Sequence, residues 1–251
     1  MTRLSVNVNK IATLRNTRPP SVGIPDVARL ARICLEAGAH GITVHPRPDQ
    51  RHIRPDDVGQ LAALVRGYPG AEYNIEGNPF LTYLEYARAV HPTQCTLVPD
   101  SHDAATSDHG WDVRKEMERL KPLVAELHAC GARVSLFMDP DPEAIAPAAQ
   151  TGADRVELYT APYAEAFKKG ERGIVTRYAQ AAQRAHQLRL GVNAGHDLNL
   201  DNLPFFLSSV PHVEEVSIGH ALIADALEFG LAQTVRKYLA AVAGDAAATL
   251  P

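Results

Sequence analysis

The sequence has only three cysteines, Cys34, Cys95 and Cys130, set far apart in apolar or helical surroundings. So small, odd and scattered a set argues against a disulfide framework and a cysteine-based zinc site, and leaves reduced thiols in the core. No apolar run reaches the roughly 18 residues that a membrane span needs. The N-terminus enters a strand-like pattern at once, without the apolar core of a signal peptide. Blocks of one charge are missing too: the net charge is −4, with Lys and Arg scattered along the chain. That distribution offers no footprint for nucleic acid or an anionic membrane. The expectation is a cytoplasmic protein whose partners are small molecules.

What is present suits a large core. The 251 residues are 45% hydrophobic and 22% charged, which fits one globular domain spanning 1–251. Short β-rich runs at about 3–8, 41–45, 72–76, 94–98, 133–138, 155–159, 188–193 and 214–218 alternate with segments of helical periodicity. In residues 24–37, Val27, Leu30, Ala31 and Cys34 follow the helical spacing after a Pro25-Asp26 start signal. After Pro55-Asp56, Val58, Leu61, Leu64 and Val65 repeat it. A Gly-Ala pair leads into a strand at Gly38, Gly70, Gly131 and Gly152, where glycine suits the left-handed residue that ends a helix. Eight strand–helix units in this length predict an α/β fold, a (β/α)8 TIM barrel with additional helices. No G-x-G-x-x-G follows the first strand, which weakens a dinucleotide-binding open sheet. The polar segment 100–110 is predicted to be a mobile loop able to close over a site, and the Ala-rich tail after Gly244 to fray.

In such barrels the chemistry sits at the C-terminal ends of the strands. By that rule the rim carries Asn7 and Asn9, His45 and Arg47, Glu76, Asp139, Glu157, His196, Gly219 and His220. Two imidazoles and a carboxylate on one rim suit stepwise proton transfer, because a half-buried carboxylate can act as a base and imidazole can donate or accept near neutrality. Taken singly, His45 also fits a structural hydrogen-bonder and Glu76 a buried ion pair. A metal is disfavoured, because the second strand supplies His45-Pro46-Arg47 rather than a His-x-His pair. Asp139, in Met-Asp-Pro-Asp-Pro, fits a helix cap. Glu157 must face either the barrel or the helices, and we expect a functional role for it.

Phosphate is the second theme. Gly219 joins the last strand to a helix start where backbone N–H groups can meet an anion. Arg15, Arg18, Arg47, Arg51 and His52 add cations in the first two rim loops, and guanidinium forks match phosphate oxygens. Together they point to more than one phosphate.

Several motifs run in order along nearly the whole chain: residues 6–18, the Gly-Ile-Thr-Val-His-Pro-Arg run at 41–47 with Arg51-His52-Ile53, Asn-Ile-Glu at 74–76 and Leu-Val-Pro at 97–99. Val-Ser-Leu-Phe at 134–137, Val-Asn-Ala-Gly-His at 192–196 and Ile-Gly-His-Ala at 218–221 complete them. With them the chain resembles the pyridoxine 5′-phosphate synthase family, the last step of the deoxyxylulose-phosphate route to vitamin B6. The resemblance implies a barrel assembled as a homo-octamer, a tetramer of dimers, which condenses 1-deoxy-D-xylulose 5-phosphate with 3-amino-2-oxopropyl phosphate. The partners are thus two small phosphorylated substrates, and no cofactor or metal is implied. It also implies His45 and Glu76 as proton acceptors and His196 as proton donor. Asn7, Arg18, His196-Asp197 and Gly219-His220 would hold the amino-ketone phosphate, and Asn9-Lys10, Arg47, His52 and Thr106 the pentulose phosphate; Arg51 and Glu157 are further candidates. The best-known form of the family has Asp-His in place of Asn9-Lys10 and Gly in place of Asp197. Lys10 is expected to serve as a cation toward phosphate or hydroxyl. The Asp197 carboxylate is expected to turn away from the pocket, with only its backbone serving the phosphate. A metal-dependent lyase or isomerase and a silent phosphate-binding barrel are the competing functions.

Overall fold

Along the strands apolar and polar residues alternate, and a period of two sends them to opposite faces. In the computed structural model, which describes residues 1–80, 82–101 and 106–245, this alternation builds a closed barrel. Its strands are β1 (Arg3–Asn7), β2 (Gly41–Val44), β3 (Glu72–Gly77), β4 (Gln94–Leu97), β5 (Arg133–Met138), β6 (Arg155–Leu158), β7 (Gly191–Ala194) and β8 (Val213–Ile218). All pair in parallel, in chain order, and β8 returns to β1 with Ser5 opposite Ser217. Leu4, Val6, Ile42, Val44, Ile75 and Leu97 belong to the continuous apolar core between strands and helices. The alternate residues form a polar ladder inside. Ser5 Oγ meets Thr43 Oγ1 at 2.7 Å, Asn74 Nδ2 donates to Thr43 Oγ1 at 3.4 Å, and Thr96 Oγ1 donates to Asn74 Oδ1 at 3.1 Å. Four strands can share these contacts only if the side chains face one another across the barrel interior.

Eleven helices surround the strands among the described residues, so the fold is the (β/α)8 barrel with additional helices. Local chemistry sets their ends. Asp26 accepts a bond from Arg29 N at 2.9 Å to open the helix Val27–Glu36, a cap worth about 1 kcal/mol. The four Gly-Ala glycines all have positive φ, between 81° and 106°. The seventh strand starts later than the expected 188: Leu188 closes the preceding helix, Arg189 turns the chain at φ 63°, and β7 begins at Gly191. Residues 102–105 of the expected mobile loop, and the tail from 246 onward, lie outside the described residues. No helix among the described residues is long and apolar enough to cross a membrane.

At the N-terminal end of the barrel, charged side chains interlock. Glu72 pairs with Arg3 at 2.9 Å and with Arg133 at 2.5 Å, Arg155 pairs with Glu214 at 2.6 Å, and Gln94 Nε2 donates to Glu215 at 3.0 Å. This end of a barrel serves stability rather than chemistry.

Arg15 corrects an expectation. It is buried, not offered to phosphate: its two Nη atoms bond Asp57 at 2.5 and 2.8 Å, and one also donates to His52 O at 3.2 Å. Asp57 in turn accepts from Arg54 N at 2.7 Å at the start of the helix Pro55–Arg66. The pair thereby ties the helix Asn9–Asn16 to the rim loop that carries His52.

Candidate active site

Two residues beyond the polar ladder, the same inward parity delivers Asn7 from β1, His45 after β2 and Glu76 from β3, and Ser217 of β8 stands with them. They open onto a cavity of about 440 Å³ at the C-terminal mouth, with Glu157 of β6 on its floor. Gly195 makes the far wall possible. A Cβ there would lie 2.0 Å from Ser217 O, so only glycine lets the chain leave β7 against β8 and present His196. Gly219 caps the helix His220–Phe229, and a Cβ there would press on Asn7 at 3.1 Å.

Of the candidate residues singled out in the sequence, Arg15, Asp139 and Arg18 lie outside this lining, Arg18 being exposed; the others line the cavity. The placement of Arg18 is the second correction. Asn7 Nδ2 donates to Glu76 Oε2 at 3.3 Å, and its Oδ1 accepts from Asn9 N at 3.0 Å. Asn9 Oδ1 accepts from His45 N at 2.9 Å, so one carboxamide fixes the backbone of the other strand's histidine. Lys10 stands exposed at the rim. Arg51 pairs with Asp49 at 3.0 Å.

His45 Nδ1 lies 3.7 Å from Glu76 Oε2, and its Nε2 lies 4.0 Å from Asp100 Oδ2. Burial, reinforced by the Arg47 charge, pulls the His45 pKa down to about 3, so its imidazole is neutral at physiological pH. Burial acts on Glu76 in the opposite sense and raises its carboxyl to about 7, against the pull of the His196 charge. His196 behaves differently again. Burial opposes its charged form, yet the hydrogen bond and charge of Asp197, with Glu76 and Asp100, leave its pKa above the ordinary histidine value. His52 is buried and neutral, its pKa lowered to about 3 chiefly by burial. Its Nδ1 accepts from Ile53 N at 3.0 Å, which leaves Nε2–H as its donor.

Asp197 is the third correction. Its carboxylate does not turn away: Oδ2 sits 2.5 Å from His196 Nδ1. Glu157 resolves toward the barrel. It is 4% exposed, and its Oε2 has no hydrogen-bond partner among the described residues. Burial, with Glu76 and Glu215 nearby, raises its pKa well above the usual carboxylate range and keeps it protonated. A neutral carboxylic acid can donate one strong hydrogen bond into the cavity. Its folded pKa exceeds the unfolded one, so its cost to stability grows as pH rises above the unfolded value. Glu157→Gln is therefore expected to raise stability by about 1–2 kcal/mol, or Tm by ~2–8 °C, more at pH 8 than at pH 5. Thermal melts at the two pH values check this; an equal or negative change at the higher pH would refute the buried-acid assignment.

Sequence reasoning missed Asp100, Ser107 and Tyr159. Asp100 is buried beside Arg47, with Nη2 at 2.5 Å, and accepts from Ser107 Oγ at 2.7 Å. It follows β4 by three residues, so the strand-end rule was sufficient to find it. Tyr159, directly after β6, stands edge-on to His196. Asp141, not Asp139, caps the helix Pro142–Gln150 through a 3.0 Å bond from Glu143 N. Among the described residues no group of three or more His, Cys, Asp or Glu side chains is arranged to hold a metal ion.

The fold and the mouth define a class: a (β/α)8 barrel with ionisable side chains of contrasting protonation around one polar cavity. The family model for pyridoxal phosphate biosynthesis protein PdxJ matches residues 4–244, and the chain belongs to that family. It is 56% identical over 250 residues to a pyridoxine 5′-phosphate synthase of Albidiferax ferrireducens, covering 96% of this chain and 98% of the relative. A pyridoxine 5′-phosphate synthase of Porphyromonas gingivalis is 54% identical over 238 residues, covering 95% and 98%. Among solved structures, phosphoribosyl anthranilate isomerase from Thermotoga maritima matches 97% of this chain and 100% of its own with a TM-score of 0.57. At 14% identity that likeness concerns the fold alone.

Proposed function

We propose that the chain is a pyridoxine 5′-phosphate synthase, which condenses 1-deoxy-D-xylulose 5-phosphate with 3-amino-2-oxopropyl phosphate to pyridoxine 5′-phosphate, inorganic phosphate and water, without a cofactor. The observation that carries this reading is the separation of protonation preferences around one cavity: His45 neutral, Glu76 poised near 7, His196 inclined to hold its proton. Joining an amine to a ketone, closing a ring and expelling water and phosphate require several proton shifts, and no single group has the right affinity for all of them. His45 and Glu76 are the acceptors in this scheme and His196 the donor to departing oxygen. Protonated Glu157 donates a hydrogen bond to negative charge that develops on the substrate.

Substrate holding follows the same division. The start of the helix His220–Phe229, at Gly219, offers backbone N–H groups to one phosphate. Asn9, Lys10, Arg47, Arg51, His52 and Thr106, which line the same cavity, serve the second substrate. Residues 1–251 are also proposed to act as one domain, in the cytoplasm and within a homo-octamer; the continuous family match over residues 4–244 supports the single domain.

The test is to mix chelator-treated protein with both phosphorylated substrates and follow product and released phosphate by chromatography. Product without added metal is the expected result. Turnover only after a divalent metal is restored, or tight binding without turnover, would overturn the proposal.

A further inference from the structure

His196 is held at both ring nitrogens. Nδ1 meets Asp197 Oδ2 at 2.5 Å, Nε2 meets Thr106 Oγ1 at 2.8 Å, and the Tyr159 ring packs edge-on with centroids 6.1 Å apart. Adjacent residues on an extended chain point to opposite sides, so an imidazole and the next carboxylate do not meet by default. Here the chain turns after β7, and the backbone of Asp197 is anchored on both sides: its N–H donates to Thr160 Oγ1 at 3.3 Å and its C=O accepts from Asn202 Nδ2 at 3.2 Å. The carboxylate is thus delivered to Nδ1 by a fixed backbone.

We propose that Asp197 is the positioning residue of His196: its carboxylate accepts Nδ1–H, fixes the ring, and leaves Nε2–H as the bond aimed into the cavity. The inference deepens the synthase reading and rests on His196 being its proton donor. The groups that face the imidazole are Glu76 of β3, Asp100 after β4, His45 after β2 and Tyr159 after β6, with Lys10, Arg47 and Arg51 across the same mouth. Burial works against the imidazolium, and the Asp197 contact is the first of the influences that reverse it. When His196 acts, the proton leaves Nε2 for the departing substrate oxygen. The ring becomes neutral but keeps Nδ1–H on Asp197, so the tautomer that must be reprotonated at Nε2 is already selected. Asp197 itself never takes the proton.

The sign of the expected effect follows. A donor works while protonated, so turnover declines as pH rises through the His196 pKa. Without the Asp197 charge that decline moves to lower pH. The experiment compares wild type, D197N and D197E by two readouts. One is the imidazole titration of His196 followed by ¹⁵N-resolved NMR without substrate, assigned with H196N. The other is the pH profile of kcat and KM. In D197N the His196 titration is expected to fall by about one pH unit, and kcat on the alkaline limb by ~10-fold for each unit lost, with KM unchanged; D197E restores part of both. An unmoved His196 titration, or a loss confined to KM, would overturn the inference and make Asp197 a substrate-binding or merely structural residue. Absence of product from the wild type would instead defeat the synthase reading, and the titration would still decide the Asp197–His196 pair.

Discussion

Glu76→Gln is expected to lower kcat by ~10²–10⁴-fold while leaving KM within a few-fold, the range for removing a positioned proton-transfer group. The substitution keeps the shape of the side chain and an oxygen for Asn7 Nδ2, which donates at 3.3 Å in the wild type. What it removes is ionisation. On the proposed scheme the carboxylate is the working base, so activity is expected to fall as pH drops through about 7; in the variant that acid limb is expected to disappear from whatever rate remains. Folding is not at risk, because burial already disfavours the charged form. A pH profile that keeps its acid limb, or a kcat within tenfold of wild type, would remove Glu76 from the chemistry.

The second large effect is structural. Asp57→Ala leaves the Arg15 guanidinium buried and without the carboxylate that it meets at 2.5 and 2.8 Å. Breaking a buried pair from one side costs ~3–5 kcal/mol, which lowers Tm by ~6–20 °C for a chain of this size. Arg15→Met combined with Asp57→Leu is expected to recover part of the loss, since well-packed apolar side chains often replace such a pair without penalty. Recovery stays incomplete, because Asp57 also accepts from Arg54 N at 2.7 Å. Thermal melts of the single and double variants check both claims; a single variant that melts with the wild type would show the pair to be solvated. His52 O also lies on Arg15, so the single variant should weaken the rim loop as well as the fold.

The contrast between Arg15 and Arg18 shows where the sequence stops being legible. Both sit in one short basic stretch and carry the same group, but Arg15 finds Asp57 at a distance of 42 residues along the chain, and nothing local announces that partner. Periodicity is a local property and was readable: the eight β-rich runs and the four Gly-Ala turns come out as strands and left-handed glycines. It failed at 188–190, where Leu-Arg-Leu alternates like a strand while Arg189 turns the chain. The strand-end rule brought His45, Glu76, Glu157 and His196 to one rim because parity and parallel pairing leave little freedom. Direction within the rim was harder. Asp197 was expected to avoid the pocket on the ground of repulsion from phosphate, which neglected the attraction of an imidazole next to it. Asp100 was absorbed into a polar loop although it stands at the end of β4 in the same manner as its counterparts on other strands.

The interlocked charges at the N-terminal end bear on how the chain acquires its structure. Arg155 finds Glu214 59 residues later, Gln94 finds Glu215 121 residues later, and Thr2 Oγ1 donates to Val213 O across 211 residues. Each of these partners lies in the last strand. A nascent chain still missing that strand leaves Arg155 without the Glu214 carboxylate and the first strand without its neighbour, so partly assembled barrels gain little of the final stability. Synthesis from the N-terminus therefore delivers the closing strand after the other seven, and ordering of the barrel waits for it.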